Sequence, residues 1–203
     1  TLRTTGVGES TLQERIGPFS QPDMILSYRT MLPENHIKLR IQPNVADDIV
    51  NAVVQELADK IGSPVFAIEG LADHTGGALH EVVGQTLLER SESIAVAESC
   101  TGGRICSLFT AIPGSSGWFT EGAVTYSNAS KIRQLGVNAS TLEQYGAVSA
   151  QVCEEMARGI REKAGTTYGL ATTGVAGPGG GSADKPVGTV FIGLQTPTDF
   201  FTR

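Results

Sequence analysis

The sequence predicts an α/β protein of two domains. Three features predict it: apolar residues that alternate between strand-like and helix-like spacing, a glycine content that changes near residue 72, and short turn motifs at strand-to-helix junctions. Of 25 glycines, five lie in residues 1–72 and 20 in residues 73–203. The later part is therefore about twice as rich in glycine as an average protein. The boundary is placed near Ala72, where Asp73-His74-Thr75-Gly76-Gly77 interrupts the patterned segments. Residues 1–71 then form a small α+β unit, and residues 72–203 an α/β layer domain.

In the first part, Gly6-Val7-Gly8-Glu9-Ser10 turns into a short helix with Leu12 and Ile16 on one face. Ile25 to Leu32 and Ile37 to Ile41 read as strands, with Pro33-Glu34-Asn35 as the turn between them. Val45, Ile49, Val53, Leu57 and Ile61 recur every four residues and predict one apolar helical stripe. Asp47 and Asp48 suit the first turn of that helix, and Gly62 ends it. Pro64 to Ile68 is a third short strand, and no reactive constellation is visible in this unit.

In the second part, a helix from about Gly77 to Arg90 precedes a strand over Ser93 to Glu98. A helix carrying Ile105, Leu108, Phe109 and Ile112 follows, then a strand over Trp118 to Tyr126 and a helix from Ala129. Val152, Met156 and Ile160 mark another helix, and strands over Tyr168 to Thr172 and Val187 to Leu194 flank a glycine-rich loop. Strands alternating with helices imply an α/β layer architecture.

Charge and composition remove several classes of function. The net charge of −6, shared equally between residues 1–72 and the rest, and the lack of a basic run disfavour phosphate-tracking nucleic-acid binding. No apolar run approaches the roughly 20 residues that span a bilayer. Cys100, Cys106 and Cys153 form no CxxC and cannot all pair, so a reducing cytoplasm is the simplest setting. Asn128-Ala129-Ser130 and Asn138-Ala139-Ser140 fit the glycosylation pattern by chance if no secretory signal is present.

Four segments could carry chemistry. Glu98-Ser99-Cys100-Thr101-Gly102-Gly103 lies at a strand-to-helix junction, where free N–H groups attract anions; it also fits an ordinary helix capped by Ser99 or Thr101. Pro113-Gly114-Ser115-Ser116-Gly117 is a sharp turn that either presents a hydroxyl rigidly or simply connects. Ser127 or Asn128 caps the next helix, which places Lys131 in its first turn, against the dipole rule. Burial there would lower the amine toward neutrality and make it a general base; otherwise it is a surface lysine. Thr172 to Ser182, rich in glycine, follows an apolar strand and reads equally as a lid, a nucleotide cradle or a connector. It matches neither a dinucleotide fingerprint nor a Walker loop. His36, His74 and His80 all precede these segments, so neither a Ser-His-Asp triad nor a histidine-rich metal site is expected, and lysine is the economical base.

Taken in order, Ala97 to Gly103, Pro113-Gly114-Ser115-Ser116, Val124 to Asn128 with Lys131, Gly146-Ala147-Val148-Ser149, and Gly174 to Gly181 with Lys185 to Val190 resemble the competence/damage-inducible CinA family. The resemblance covers about residues 76–196 and is to the family's C-terminal amidase domain. Residues 1–71, through Leu2-Arg3-Thr4 and Gly6 to Ser10, resemble the family's KH-like linking domain. It implies a layered αβα amidase domain behind a small α+β domain, with a metal-dependent pyrophosphatase-like domain before Thr1 in full-length members. Family members also continue past the last strand into a Gly-Asp-Arg segment whose arginine belongs to the site, a role not transferred to Arg203.

The activity implied by the resemblance is hydrolysis of nicotinamide mononucleotide to nicotinate mononucleotide and ammonia in pyridine-nucleotide salvage, by a cytoplasmic homodimer without metal or cofactor. Ser116 would be the nucleophile, Lys131 its base, Tyr126 a proton-transfer partner, and Thr173 a neighbour of the reacting amide. Ser99, Thr101, Gly102, Gly103, Gly177, Gly179 and Gly180 would line the substrate, with its phosphate at the helix start after Ser99 or at the Gly177–Gly181 loop. The alternative is a non-catalytic nucleotide-binding or regulatory module. RNA binding by the KH-like part is disfavoured by its acidic balance and the lack of a Gly-x-x-Gly clamp.

Overall fold

A computed structural model describes residues 1–71 and 76–203, which divide into the units Thr1–Val82 and Val83–Arg203. Ala72, Asp73, His74 and Thr75, where the boundary is expected from sequence, lie outside the described residues. The division falls inside helix α3 (Leu79–Glu89).

The first unit comprises β1 (Leu2–Thr5), α1 (Glu9–Ile16), β2 (Met24–Met31), β3 (Glu34–Ile41), α2 (Asp47–Ile61) and β4 (Val65–Ile68). Its antiparallel sheet has the order β2-β3-β1-β4, so the unpredicted strand β1 lies inside the sheet. Leu12 and Ile16 of α1 are buried together with Leu2, Ile37 and the apolar face of α2. That face is Val50, Val53, Val54, Leu57 and Ile61, whereas Ile49 is half exposed. A strict spacing of four overshoots a helical turn by about 40° per step, so the row read from sequence spirals off the core face.

The β2–β3 turn is shorter than expected. Glu34 and Asn35 belong to β3, paired with Met31 and Thr30, and only Leu32 and Pro33 connect the strands. Both polar residues are buried because each has partners from distant sequence. Asn35 donates to the Val7 carbonyl at 2.7 Å. Glu34 accepts from the Arg3 guanidinium at 2.6 and 2.9 Å and contacts His36 Nε2 at 2.9 Å, while Arg3 also reaches Glu69 at 2.8 Å. This ionic cluster has no pattern in the sequence.

In the second unit, β5 (Ile94–Glu98), β6 (Phe119–Val124), β7 (Tyr168–Gly174), β8 (Val190–Gln195) and β9 (Phe200–Thr202) form a sheet of order β6-β5-β7-β8-β9. Strands β6, β5 and β7 are parallel; β7, β8 and β9 pair antiparallel. A parallel return requires a crossover of a dozen or more residues, usually a helix. The segment between β7 and β8 is instead a self-bonded loop, in which Gly188 donates to Val175 and Ser182 to Lys185.

Helices cover both faces of β5, which gives the αβα layering. Ala95 and Ala97 pack with Val152, Met156 and Ile160 of α7 (Ala150–Ala164), and with Leu135 of α5 (Asn128–Leu135) and Leu142 of α6 (Ala139–Tyr145). Ile94 and Val96 turn the other way, toward Leu87, Trp118 and Phe109 of α4 (Arg104–Thr110). Helix α6 and strand β9 are not foreseen from sequence, being only seven and three residues long. At Gly159 of α7 a methyl group would run into the Leu135 carbonyl, so this glycine permits the close approach of α7 to α5. Among the described residues no helix is long and apolar enough to cross a membrane.

Candidate functional site

Three adjacent parallel strands place small residues in one row. Ala97 of β5 is in register with Ala123 of β6 and Ala171 of β7, and all three face α7. The ladder continues one step, with Ser99 N donating to Thr172 O at 2.9 Å and Thr125 N to Glu98 O at 2.8 Å. Alternation along a strand puts the next residues on that face at Ser99, Thr125 and Thr173. A row of three hydroxyls therefore crosses the carboxyl ends of the strands, the usual ligand side of an α/β sheet.

Lys131 points into this row from the first turn of α5. Ser127 caps that helix, its Oγ accepting from Ser130 N at 3.1 Å. The lysine is 1% exposed, and its Nζ contacts Thr125 O at 2.8 Å, Ser99 Oγ at 3.0 Å and Tyr126 O at 3.2 Å. Burial pulls its pKa below 10.5, with only Cys100 pushing the other way. The two carbonyls can only accept, so each requires an N–H from the amine. The ammonium form donates to all three oxygens, whereas the neutral amine has two N–H bonds for the carbonyls and a lone pair for the Ser99 hydroxyl. When deprotonated, the amine can act as a base toward that serine.

Ser116 is not in this arrangement. It sits in a 3-10 turn (Ser115–Gly117) just before β6, whose first residue Phe119 pairs with Ile94 at the start of β5. Lys131 and Ser99 lie at the other end of the same strands, about 3.3 Å per residue away over five residues. The direct pairing of Ser116 with Lys131 expected from the family resemblance is therefore corrected: Lys131 is bonded to Ser99. The physical reason is the β5–α4–β6 crossover. Helix α4 runs back along the sheet, so the loop after it returns to the amino ends of the strands.

The remaining expected residues are placed as follows. Tyr126 offers Lys131 its carbonyl, while its residue is 72% exposed. Thr173 is buried and donates to Ala147 O at 2.8 Å, leaving its oxygen free to accept. Thr101 shares a hydrogen bond with Thr172 at 2.7 Å on the opposite face. Gly102 and Gly103 take positive φ (60° and 98°) in the turn after Ser99. Gly177 is packed against Val187, Gly179 and Gly180 are open, and Lys185 ties the loop to Tyr145 O at 2.8 Å.

Glu98 was missed. Its carboxylate is fully buried and accepts from Gly103 N at 3.0 Å and Cys106 N at 2.8 Å, so it rather than Ser99 or Thr101 caps α4. Burial alone would raise its pKa; hydrogen bonds from Thr101, Cys106 and Ile105 outweigh this and hold it below the usual value. Sequence carried a signal: a lone acid ending the apolar strand Ile94–Glu98, buried on both faces, must be paired. By contrast, the N–H groups of Cys100 and Thr101 turn toward the Cys100 sulfur, whose charged form they favour while burial raises its pKa. No group of three or more His, Cys, Asp or Glu among the described residues could hold a metal ion.

Fold and site together define a three-layer α/β domain with a buried lysine directed at a hydroxyl row. The family model of the CinA C-terminal domain matches residues 76–203. A CinA-like protein of Desulfosudis oleivorans is 45% identical over 97% of this chain and 48% of its own length, and one from Synechocystis is 43% identical over 97% and 47%. Among solved structures, competence/damage inducible protein CihA of Agrobacterium tumefaciens matches with TM-score 0.60 and 39% identity over 62% of this chain and 76% of that one. A CinA superfamily protein of Escherichia coli gives 0.60 and 34% over 62% and 73%. The chain belongs to the CinA family. It spans about half the length of the curated relatives it matches.

Proposed function

We propose that this domain hydrolyses the carboxamide of nicotinamide mononucleotide to nicotinate mononucleotide and ammonia. The observation that carries this reading is the buried Lys131 amine, held by two carbonyls with its remaining direction on Ser99 Oγ. Lys131 takes the Ser99 proton as Oγ attacks the amide carbon. The tetrahedral oxyanion meets the N–H groups of Cys100 and Thr101, which follow the nucleophile as oxyanion donors often do and turn to it from the Cys100 sulfur. The C–N bond breaks as ammonia takes the proton from Lys131, and water, deprotonated by the same amine, frees the acid from Ser99.

The role of each other residue follows from what it can still bond. Thr173 directs its O–H to Ala147 O, so its oxygen accepts from the amide N–H. The α4 start is filled by a carboxylate, which leaves Gly177–Gly181 as the place for the phosphate. Tyr126 assists the proton transfer to the leaving ammonia, as the family resemblance implies. In this reading the protein is a cytoplasmic homodimer acting in pyridine-nucleotide salvage, as the family resemblance implies. Ser116 of the same chain is out of reach.

The test is ammonia release from nicotinamide mononucleotide by the full-length polypeptide. Ser99→Ala and Lys131→Ala lose turnover, while Ser116→Ala keeps it. Loss with Ser116→Ala but not Ser99→Ala would transfer the attack to a Ser116 brought by a second copy. Calorimetric binding of the mononucleotide with no turnover in the wild type would favour a nucleotide-binding module instead.

A further inference from the structure

We infer that Glu98 is a positioning residue: its carboxylate closes the turn that holds Ser99 against Lys131 and occupies the anion position at the start of α4. The inference rests on the reading of Ser99 as the attacking hydroxyl. A fully buried carboxylate is costly unless its oxygens are hydrogen-bonded, so its presence in the central strand requires an account. The account is in its partners. Glu98 has the same strand parity as Ile94 and Val96, so it turns toward α4, and it receives Gly103 N and Cys106 N. Those are the N–H groups that a ligand anion would otherwise take.

Between Glu98 and Gly103 lie Ser99 to Gly102, and this segment is tied at both ends. Ser99 N donates to Thr172 O at 2.9 Å, and Gly102 N returns to Ser99 O at 3.2 Å. Gly103 N reaches the Glu98 carboxylate at 3.0 Å and completes the loop. The Ser99 side chain leaves this loop on the opposite face of β5, where Lys131 waits. Glu98 therefore touches neither amine nor substrate. It acts through the backbone of Ser99, and a misplacement of about 1 Å at a nucleophile can cost on the order of 100-fold in rate.

The experiment compares wild type, Glu98→Gln and Glu98→Ala in the full-length polypeptide. Glu98→Gln puts an NH2 against one of the two N–H donors. Its kcat for ammonia release falls about 10- to 100-fold, while KM and the acidic limb of the pH profile stay where they were. In Glu98→Ala, added formate restores turnover by refilling the same donors. Backbone hydrogen exchange becomes fast at whichever of Gly103 and Cys106 meets the new NH2 in Glu98→Gln, with thermal unfolding checking that the variant is folded. Wild-type kcat in Glu98→Gln, a shifted pH limb, or no response to formate overturns the proposal. Slow exchange at both amides in Glu98→Gln overturns it too. If the wild type releases no ammonia, the amidase reading fails by itself and the exchange arm still decides the closure of the turn.

Discussion

Replacing Lys131 by methionine keeps an unbranched side chain in the same buried slot and removes the amine. A positioned acid–base group contributes about 10²- to 10⁴-fold, so ammonia release falls by at least about 100-fold. Thr125 O and Tyr126 O lose their donor, at about 1–3 kcal/mol for the buried Thr125 carbonyl and less for the partly exposed Tyr126 one. Relief from burying the amine opposes that loss, so the decisive quantity is the pH slope of stability. The native pKa of Lys131 lies below 10.5 because of burial. Between that lowered value and 10.5 the unfolded chain holds a proton that the native site has released. Wild-type stability therefore rises with pH across this window relative to Lys131→Met, by up to about 1.4 kcal/mol per pH unit. Urea unfolding followed by the fluorescence of the single, buried Trp118 measures it in the relevant unit. A stability difference that stays flat up to pH 10.5, or a variant with wild-type turnover, would refute a buried neutral base.

Four further outcomes follow. The acidic limb of kcat lies below 10.5, activity being lost as pH falls and Lys131 becomes protonated; a pH–rate profile with no acidic limb contradicts this. Ser99→Ala combined with Lys131→Met costs no more than either change alone, because the pair acts as one unit; additive losses would separate them. Gly159→Ala destabilises the second unit by about 1–3 kcal/mol, since the new methyl meets a backbone carbonyl rather than a movable side chain; an unchanged Trp118 unfolding midpoint would remove that contact. Arg3→Met leaves Glu34 buried without its cation and costs the first unit about 3–5 kcal/mol by circular dichroism; a smaller loss would mean that His36 suffices.

Much of the layering was legible because it depends on local spacing. The apolar run of β5 and the stripe of α7 each follow from side chains a few residues apart. Where the sequence reading departed from the structure, distant partners were decisive. Glu34 and Asn35 look like turn residues until Arg3 and Val7 arrive beside them, and β8 turns back because no helix intervenes after β7. The position of Ser116 was within reach, since a loop from helix to strand returns to the amino end of a parallel sheet. Motif order along the chain concealed this.

The sequence by itself determined which residue types could do chemistry, and that Lys131 would enter at the start of a helix capped by Ser127 or Asn128, because capping and periodicity act over one or two turns. Tertiary structure alone decided which hydroxyl the amine meets. Strand register brings Ser99, Thr125 and Thr173 into one row from positions up to 74 residues apart, and chain direction carries Ser116 to the other end. Burial, which lowers the pKa of the lysine, exists only when that row and the α5 helix close over one another.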